Sequence, residues 1–241
     1  SLTSLDLSNT PVLSHLDCHT NSSLTSLDVS NNPVLSSLDC YNNQLTSLDL
    51  STNLFLDTLN CYNNQLTSLD ISNNPSLAIL NCNTNQLTSL DISNNPSLAI
   101  LNCNNNQLTS LDISNNSILQ QLQAQSNQLQ TVDLRNGNNI NMGYTSSDIN
   151  LTANSLLNCV SVDDVAWSVA YWTYSTGNID SHTYFSSHCL SYGCTDSLAD
   201  NYDPAANTDD GSCTYSSLCV EGPITGLFID GIIDDRVNAN F

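Results

Sequence analysis

Apolar residues recur along the first half of the chain at the first, fourth and sixth positions of a short stretch, as in Leu66, Leu69 and Ile71, and then in Leu77, Leu80 and Cys82. The last two of each set flank a single polar residue, the period-two signature of a short β-strand with one buried face. The pattern returns every 21 residues: Leu24, Leu45, Leu66, Leu87, Leu108 and Leu129 open successive units. Cys18, Cys40, Cys61, Cys82 and Cys103 share one equivalent position, which Ala124 fills in the next unit. Fixed-period self-similarity predicts a solenoid of about seven stacked coils, each burying its apolar side against its neighbours. Asn43, Asn64, Asn85 and Asn106 follow the cysteines by three residues, where a side-chain amide can satisfy backbone groups as the chain turns. Stacking turns these residues into an asparagine ladder.

The unit Leu-x-x-Leu-x-Cys-x-x-Asn-x-Leu-x-x-Leu-Asp-Leu-Ser-x-Asn resembles the 21-residue leucine-rich repeat of bacterial surface proteins, including internalin-like adhesins that carry a cysteine ladder. The resemblance covers residues 1–137 and departs at Thr10, at Leu54 and Phe55, and at Ala124. It implies a mostly β, α/β-type repeat solenoid in which Leu-x-x-Leu-x-Cys strands form a parallel sheet on the concave face. The Leu-Asp-Leu-Ser segments then line the convex side. At about 4.8 Å per strand, seven units make a rod roughly 30 Å long.

Stacking also sorts the polar and sulfur-bearing residues into columns. The five ladder cysteines face the core beside leucines, where a thiol acts as a small hydrophobe. Parallel Cβ atoms about 4.8 Å apart do not meet the roughly 3.8 Å of a disulfide. Free buried thiols are therefore expected, with a metal ladder as the alternative. Asp6, Asp28, Asp49, Asp70, Asp91, Asp112 and Asp133 form a second column. Their mutual repulsion requires compensation, either by hydrogen bonds from neighbouring backbone and hydroxyl groups or by a row of cations.

On the concave face the outward positions read His15, Asp17 and His19; Ser37, Asp39 and Tyr41; Thr58, Asn60 and Tyr62; Ile79, Asn81 and Asn83. Tyr41 and Tyr62 should stack, with His19 at the end and Asn42 and Asn63 alongside. Such a surface suits a carbohydrate or a polar protein loop. Cross-strand tyrosine pairs can equally serve the sheet alone. A zinc site between His15 and His19 is excluded, because four residues of strand separate them by about 13 Å.

Beyond Arg135 the repeat decays, and Leu157-Asn158-Cys159-Val160-Ser161-Val162 reads as one last strand. Asp163 and Asp164 open a capped helix at Val165, and Trp172, Ile179 and Phe185 provide bulky closure for the solenoid end. Residues 138–190 resemble the terminal cap of bacterial repeat domains, and a Cys159–Cys189 bridge would close a loop of about 30 residues, contributing roughly 3 to 4 kcal/mol in the chain-entropy model. Residues 191–215 resemble the cysteine-bounded modules of large secreted bacterial proteins. Five cysteines with one left over allow about fifteen pairings, so spacing and resemblance together select Cys194 with Cys213 and leave Cys219 over. Asp196, Asn201, Asp203, Asn207, Asp209 and Asp210 offer hard oxygen ligands, so calcium is the cofactor to consider. Their spacing is not that of an EF-hand, and Asx turns without metal are the alternative. Residues 216–241 read as a linker and the opening of a fibronectin-like β-sandwich.

Composition narrows the partners. Twenty-three acidic residues stand against Arg135 and Arg236, a formal charge of -21, which repels nucleic acid and anionic membrane surfaces. No apolar run is long enough for membrane insertion. The chain starts in mid-repeat without a signal peptide, as a mature fragment lacking its native start would. No activated nucleophile, acid–base pair, phosphate loop or metal triad emerges, so the chain reads as non-enzymatic. The resemblance implies a secreted or cell-surface adhesin segment that binds an extracellular glycan or protein on the concave face. A structural spacer or secretion-cargo segment is the rival, with secretion or surface-anchoring machinery, type IX secretion included, as partner. The near-identical fourth and fifth units favour the spacer, and the distinct first three favour the adhesin.

Overall fold

The computed structural model describes residues 2–189, 192–202, 206, 208–209 and 211–215. It divides into two compact units, Ser1–Cys189 and Leu190–Phe241. The expected sandwich opening at 216–241, and Cys219 with it, lies outside the described residues. No helix among the described residues is long and apolar enough to cross a membrane.

In chain order the strands of the first unit are β1 (His15–Asp17), β2 (Ser37–Asp39), β3 (Thr58–Asn60), β4 (Ile79–Asn81), β5 (Ile100–Asn102), β6 (Ser110–Asp112), β7 (Gln121–Gln123) and β8 (Thr131–Asp133). They are followed by β9 (Ile149–Asn150), β10 (Cys159–Ser161), the helix α1 (Val165–Tyr171) and β11 (Tyr184–Ser186). Strands β1 to β5, β7 and β9 form one parallel seven-stranded sheet. Its register never slips: Leu16 pairs with Leu38, Leu38 with Leu59, Leu59 with Leu80 and Leu80 with Leu101. A one-residue slip would turn every such leucine to solvent, so burial of one face fixes the pairing.

A second parallel sheet, ordered β11-β10-β8-β6, lies on the Leu-Asp side of the coil. Of its strands only β10 is expected from the sequence, within residues 157–162. Pairing on both sides places these turns at ladder spacing on both.

Both columns of leucines and all five ladder cysteines are buried, and the thiols are free. Burial pushes the Cys18 thiol up to about 11 and Cys103 up to about 12, and Cys61 and Cys82 are raised well above the ordinary range for the same reason. With almost no thiolate present, these groups are poor nucleophiles. Ala124 fills the sixth position fully buried, as expected where only a small apolar group is required.

The asparagine ladder follows from unmet backbone groups. The Asn64 amide donates to the Cys40 and Cys61 carbonyls, each at 3.0 Å, and its Oδ1 accepts the Leu45 N–H at 2.9 Å. Asn106 repeats this with Cys82, Cys103 and Leu87. One residue earlier in each turn the backbone is left-handed, at Thr20, Asn42, Asn63, Thr84, Asn105, Ser126 and Ala153, with φ of 53° to 58°. A second column, Asn32, Asn53, Asn74, Asn95 and Asn116, is fully buried. Asn53 donates to the carbonyls of Val29 and Asn32 at 3.1 and 2.9 Å, while the Oδ1 atoms of this column meet no protein donor among the described residues.

The aspartate column is compensated by hydrogen bonds. Asp28, Asp49, Asp70 and Asp91 each accept the backbone N–H two residues on, at 2.9 Å. The serine hydroxyl at that position, then its N–H, holds each of these carboxyls below the usual carboxylate range. A depressed folded-state pKa means that the unfolded chain takes up protons first, near the ordinary carboxyl value of 3.8. The stabilisation is therefore complete above that pH and is lost as pH falls through the folded values. A melting temperature flat between about pH 7 and 5 and falling below about pH 4 is expected, with a shallower fall when Ser72 and Ser93 are alanine. An unchanged acid limb in that double variant would contradict this account.

At the C-terminal end Asp164 caps α1 by accepting the Trp167 N–H at 2.9 Å. Trp172 is buried behind it against Phe185 and edge-on to Trp167, with ring centroids 5.9 and 5.1 Å away. Its indole N–H donates to the Gly143 carbonyl at 2.9 Å. A Cβ at Gly143 would stand 2.2 Å from Asp148 Cγ, so only glycine fits this approach. The Cys159–Cys189 disulfide closes the region, and Arg135 holds Asp133 through two guanidinium nitrogens at 2.9 and 2.5 Å.

The second unit contains the Cys194–Cys213 disulfide and a parallel pair of short strands, Tyr192–Gly193 and Thr208–Asp209. Asp196 accepts from the Leu198 N–H and the Tyr215 hydroxyl, Asn201 from the Thr214 N–H, and Asp209 from the Gly211 N–H. Each of these oxygens thus serves the module's own chain. Asp203, Asn207 and Asp210, the rest of the expected calcium set, lie outside the described residues.

Candidate functional site on the concave sheet

Strands β1 to β5 of the large sheet each offer two outward side chains around a central leucine, and a third follows the buried cysteine. The third column begins with His19, Tyr41 and Tyr62, and these rings stack with centroids 4.4 Å apart at both steps and interplanar angles of 10° and 9°. The parallel register leaves them no other arrangement, because equivalent residues sit one strand spacing apart. Tyr41 therefore carries a ring on each face, and the stack presents edges and hydroxyls outward. Asn83 continues the column in the fourth unit, where its amide reaches only Thr84 Oγ1 at 3.5 Å.

The middle column is a directed hydrogen-bond chain. The Asn81 amide donates to Asn60 Oδ1, and the Asn60 amide donates to Asp39 Oδ1, each at 2.5 Å. Two aligned amide dipoles thus end on the Asp39 carboxylate. Asp17 lies beside Asp39 in register, and its Oδ1 pairs with His19 Nδ1. The hydrogen bond from His19, then the His19 N–H, holds the Asp17 carboxyl below the usual range. The Tyr41 phenol is pushed up by desolvation, then by Tyr62 and Asp17. Arg135, the one cation among the described residues besides the histidines, is engaged by Asp133 at the far end of the array.

The structure thus gathers His19, Tyr41, Tyr62, Asp17, Asp39, Asn60 and Asn81 into one patch. His15 stands apart, in the first column with Ser37 and Thr58, and its Nδ1 meets Ser14 Oγ at 2.9 Å. The two histidines therefore serve different partners, and no group of three potential metal ligands occurs among the described residues. Exposed apolar positions ahead of the strands, Val12, Val34 and Phe55, were not legible as surface from the repeat pattern. The departure at Leu54 and Phe55 was their only signal.

Neither a family model nor a curated protein matches the chain. Among solved structures it is similar to the functional domain of InlJ from Listeria monocytogenes, which includes a cysteine ladder. The identity is 34%, the TM-score 0.57, and the match covers 66% of this chain and 38% of that one. The leucine-rich repeat domain of APL1B, 22% identical with a TM-score of 0.50, shares the fold over 74% of this chain and 51% of its own. So does the LRR ectodomain of the plant membrane receptor kinase GASSHO1/SCHENGEN3 from Arabidopsis thaliana, at 22% identity and a TM-score of 0.50, over 65% of this chain and 22% of that one. The chain spans well under two thirds of the length of each. Its repeat array is a leucine-rich-repeat solenoid with a 21-residue spacing and a cysteine ladder, the feature that the similar InlJ domain also includes.

Proposed function

We propose that the array is a non-catalytic protein-recognition module of a secreted or surface-exposed bacterial protein, and that the concave face of its first three units holds the partner. The observation that carries this reading is the continuous patch of stacked rings and carboxylates. It is confined to units whose outward residues differ from one another, while units four and five repeat Ile-Leu-Asn-Cys-Asn with little change. Similarity to the InlJ domain supports the setting, and two disulfides fit an oxidising compartment.

Protein is favoured over glycan because both faces of Tyr41, and the faces of His19 and Tyr62 that meet it, are covered, which leaves a sugar no ring face at the centre of the stack. Edges and phenol hydroxyls, set among acceptors, suit the side chains of a polypeptide. The spacer reading draws on units four and five, whose copied surfaces offer nothing tailored.

An extracellular-protein array and a glycan array, probed with the wild-type array and with Tyr41→Ala/Tyr62→Ala, separate the readings. A protein signal at least about tenfold weaker in the variant is expected, with both proteins folded by circular dichroism. A signal confined to the glycan array and lost in the variant would assign a sugar ligand. No signal, or one indifferent to the two changes, would leave the spacer.

A further inference from the structure

Three residues ahead of each strand, one column reads Val12, Val34, Phe55, Ser76, Ser97 and Ile118. The pairing of His15 with Ser37 and of Ser37 with Thr58 places the first three on adjacent turns, about 4.8 Å apart. All three are exposed, at 85%, 41% and 63%, and Leu54 beside Phe55 is exposed at 51%. Single apolar residues on a surface need no explanation, but an unbroken row does. The fold does not require it: units four and five carry serine at this register and close their turns with the same backbone bonds, as in Leu77 N–H to Asn74 O and Leu56 N–H to Asn53 O.

The row ends where the other columns change. Phe55 gives way to Ser76, Asp57 to Ala78, and Tyr62 to Asn83, all between the third and fourth units. Phe55 and Tyr62 lie beyond opposite ends of β3, seven residue steps apart, a span of at most about 23 Å. Across three turns the surface between them measures roughly 20 by 15 Å, the width of one helix or loop. Its polar centre is acidic, with Asp17, Asp39 and Asp57 and no lysine or arginine in any of the repeats before Arg135.

We infer that the apolar row and the ring stack bracket a single footprint for a basic polypeptide segment, which sets a large apolar side chain on Val34, Leu54 and Phe55 and a lysine or arginine against Asp17 and Asp39. The inference rests on the reading that the first three units hold a protein, and it adds the second flank and the chemistry of the partner. The apolar row supplies the buried anchor of an interface, and the carboxylates supply orientation and steering toward a chain of net charge -21.

A phage-displayed random-peptide library panned against the folded array tests this. Enriched peptides should combine a basic residue with a large aliphatic or aromatic one, and their dissociation constants should rise with salt. Phe55→Ser installs the residue that units four and five carry, so its melting should match the wild type, and it should weaken binding at least about tenfold. Asp39→Asn should weaken it and flatten the salt dependence. Loss of binding with Tyr41→Ala but not with Phe55→Ser overturns the second flank and leaves the concave-face reading standing. Indifference to all three changes overturns both. Enriched peptides without a basic residue, or no enrichment at all, overturn the basic partner.

Discussion

Truncating Trp172 to alanine is expected to lower stability by about 3–5 kcal/mol, the range for removing a large buried aromatic from a packed site. The side chain is 1% exposed and lies between Phe185 and Trp167, so its removal leaves a cavity that the short α1 cannot fill by itself. It also strips the Gly143 carbonyl of its donor, in the segment where Asp148 holds Thr145 through the N–H and the hydroxyl. Trp172→Phe should cost less, since it keeps most of the ring and loses chiefly the hydrogen bond, worth about 1 kcal/mol. Denaturant titration with amide exchange provides the measurement. Exchange should accelerate first over residues 139–189 and reach the early repeats last, because each turn of a solenoid touches only its neighbours. A loss below about 1 kcal/mol would show that the end of the array closes without this residue.

Asn106→Ala is expected to cost about 2–3 kcal/mol. It leaves the buried N–H of Leu87 without a partner, which costs about 1–3 kcal/mol, and takes one of two amide donors from each of the Cys82 and Cys103 carbonyls, which keep Asn85 and Asn127. Asn83→Ala is the matching control. That amide sits on the concave face and reaches a single hydroxyl at 3.5 Å, so its loss should stay within about 0.5 kcal/mol. Equal effects of the two changes would refute the distinction between ladder and surface asparagines. Asn106→Asp should be nearly as damaging as alanine, because the carboxylate keeps an acceptor for Leu87 but turns oxygen toward the two carbonyls.

The period and the cysteine column made the core legible, because burial at one residue per turn leaves a pattern that solvent-facing positions cannot mimic. The stack of His19, Tyr41 and Tyr62 was equally readable, since it follows from register alone. Three features were not. The second sheet depends on how far apart the turns stand on the convex side, and the same Leu-Thr-Ser-Leu-Asp letters are strand at Ser110–Asp112 and not in the earlier units. The left-handed column is occupied by asparagine in three turns and by Thr20, Thr84, Ser126 and Ala153 in the others, so no residue type announced it. The buried Asn32 column repeats the letter of the first ladder but not its chemistry. Asn64 accepts a backbone N–H through Oδ1, whereas Asn53 meets no protein donor there.

The unbroken register of the large sheet has a consequence for how such a chain can change. Ala78-Ile79 and Ala99-Ile100 occupy equivalent places in units that are nearly the same sequence. Excision or duplication of the stretch between them joins like to like, and every ladder finds the partner it had before. Recombination between such copies would lengthen or shorten the solenoid in steps of about 4.8 Å and leave both the stacked rings at one end and the disulfide-closed cap at the other untouched.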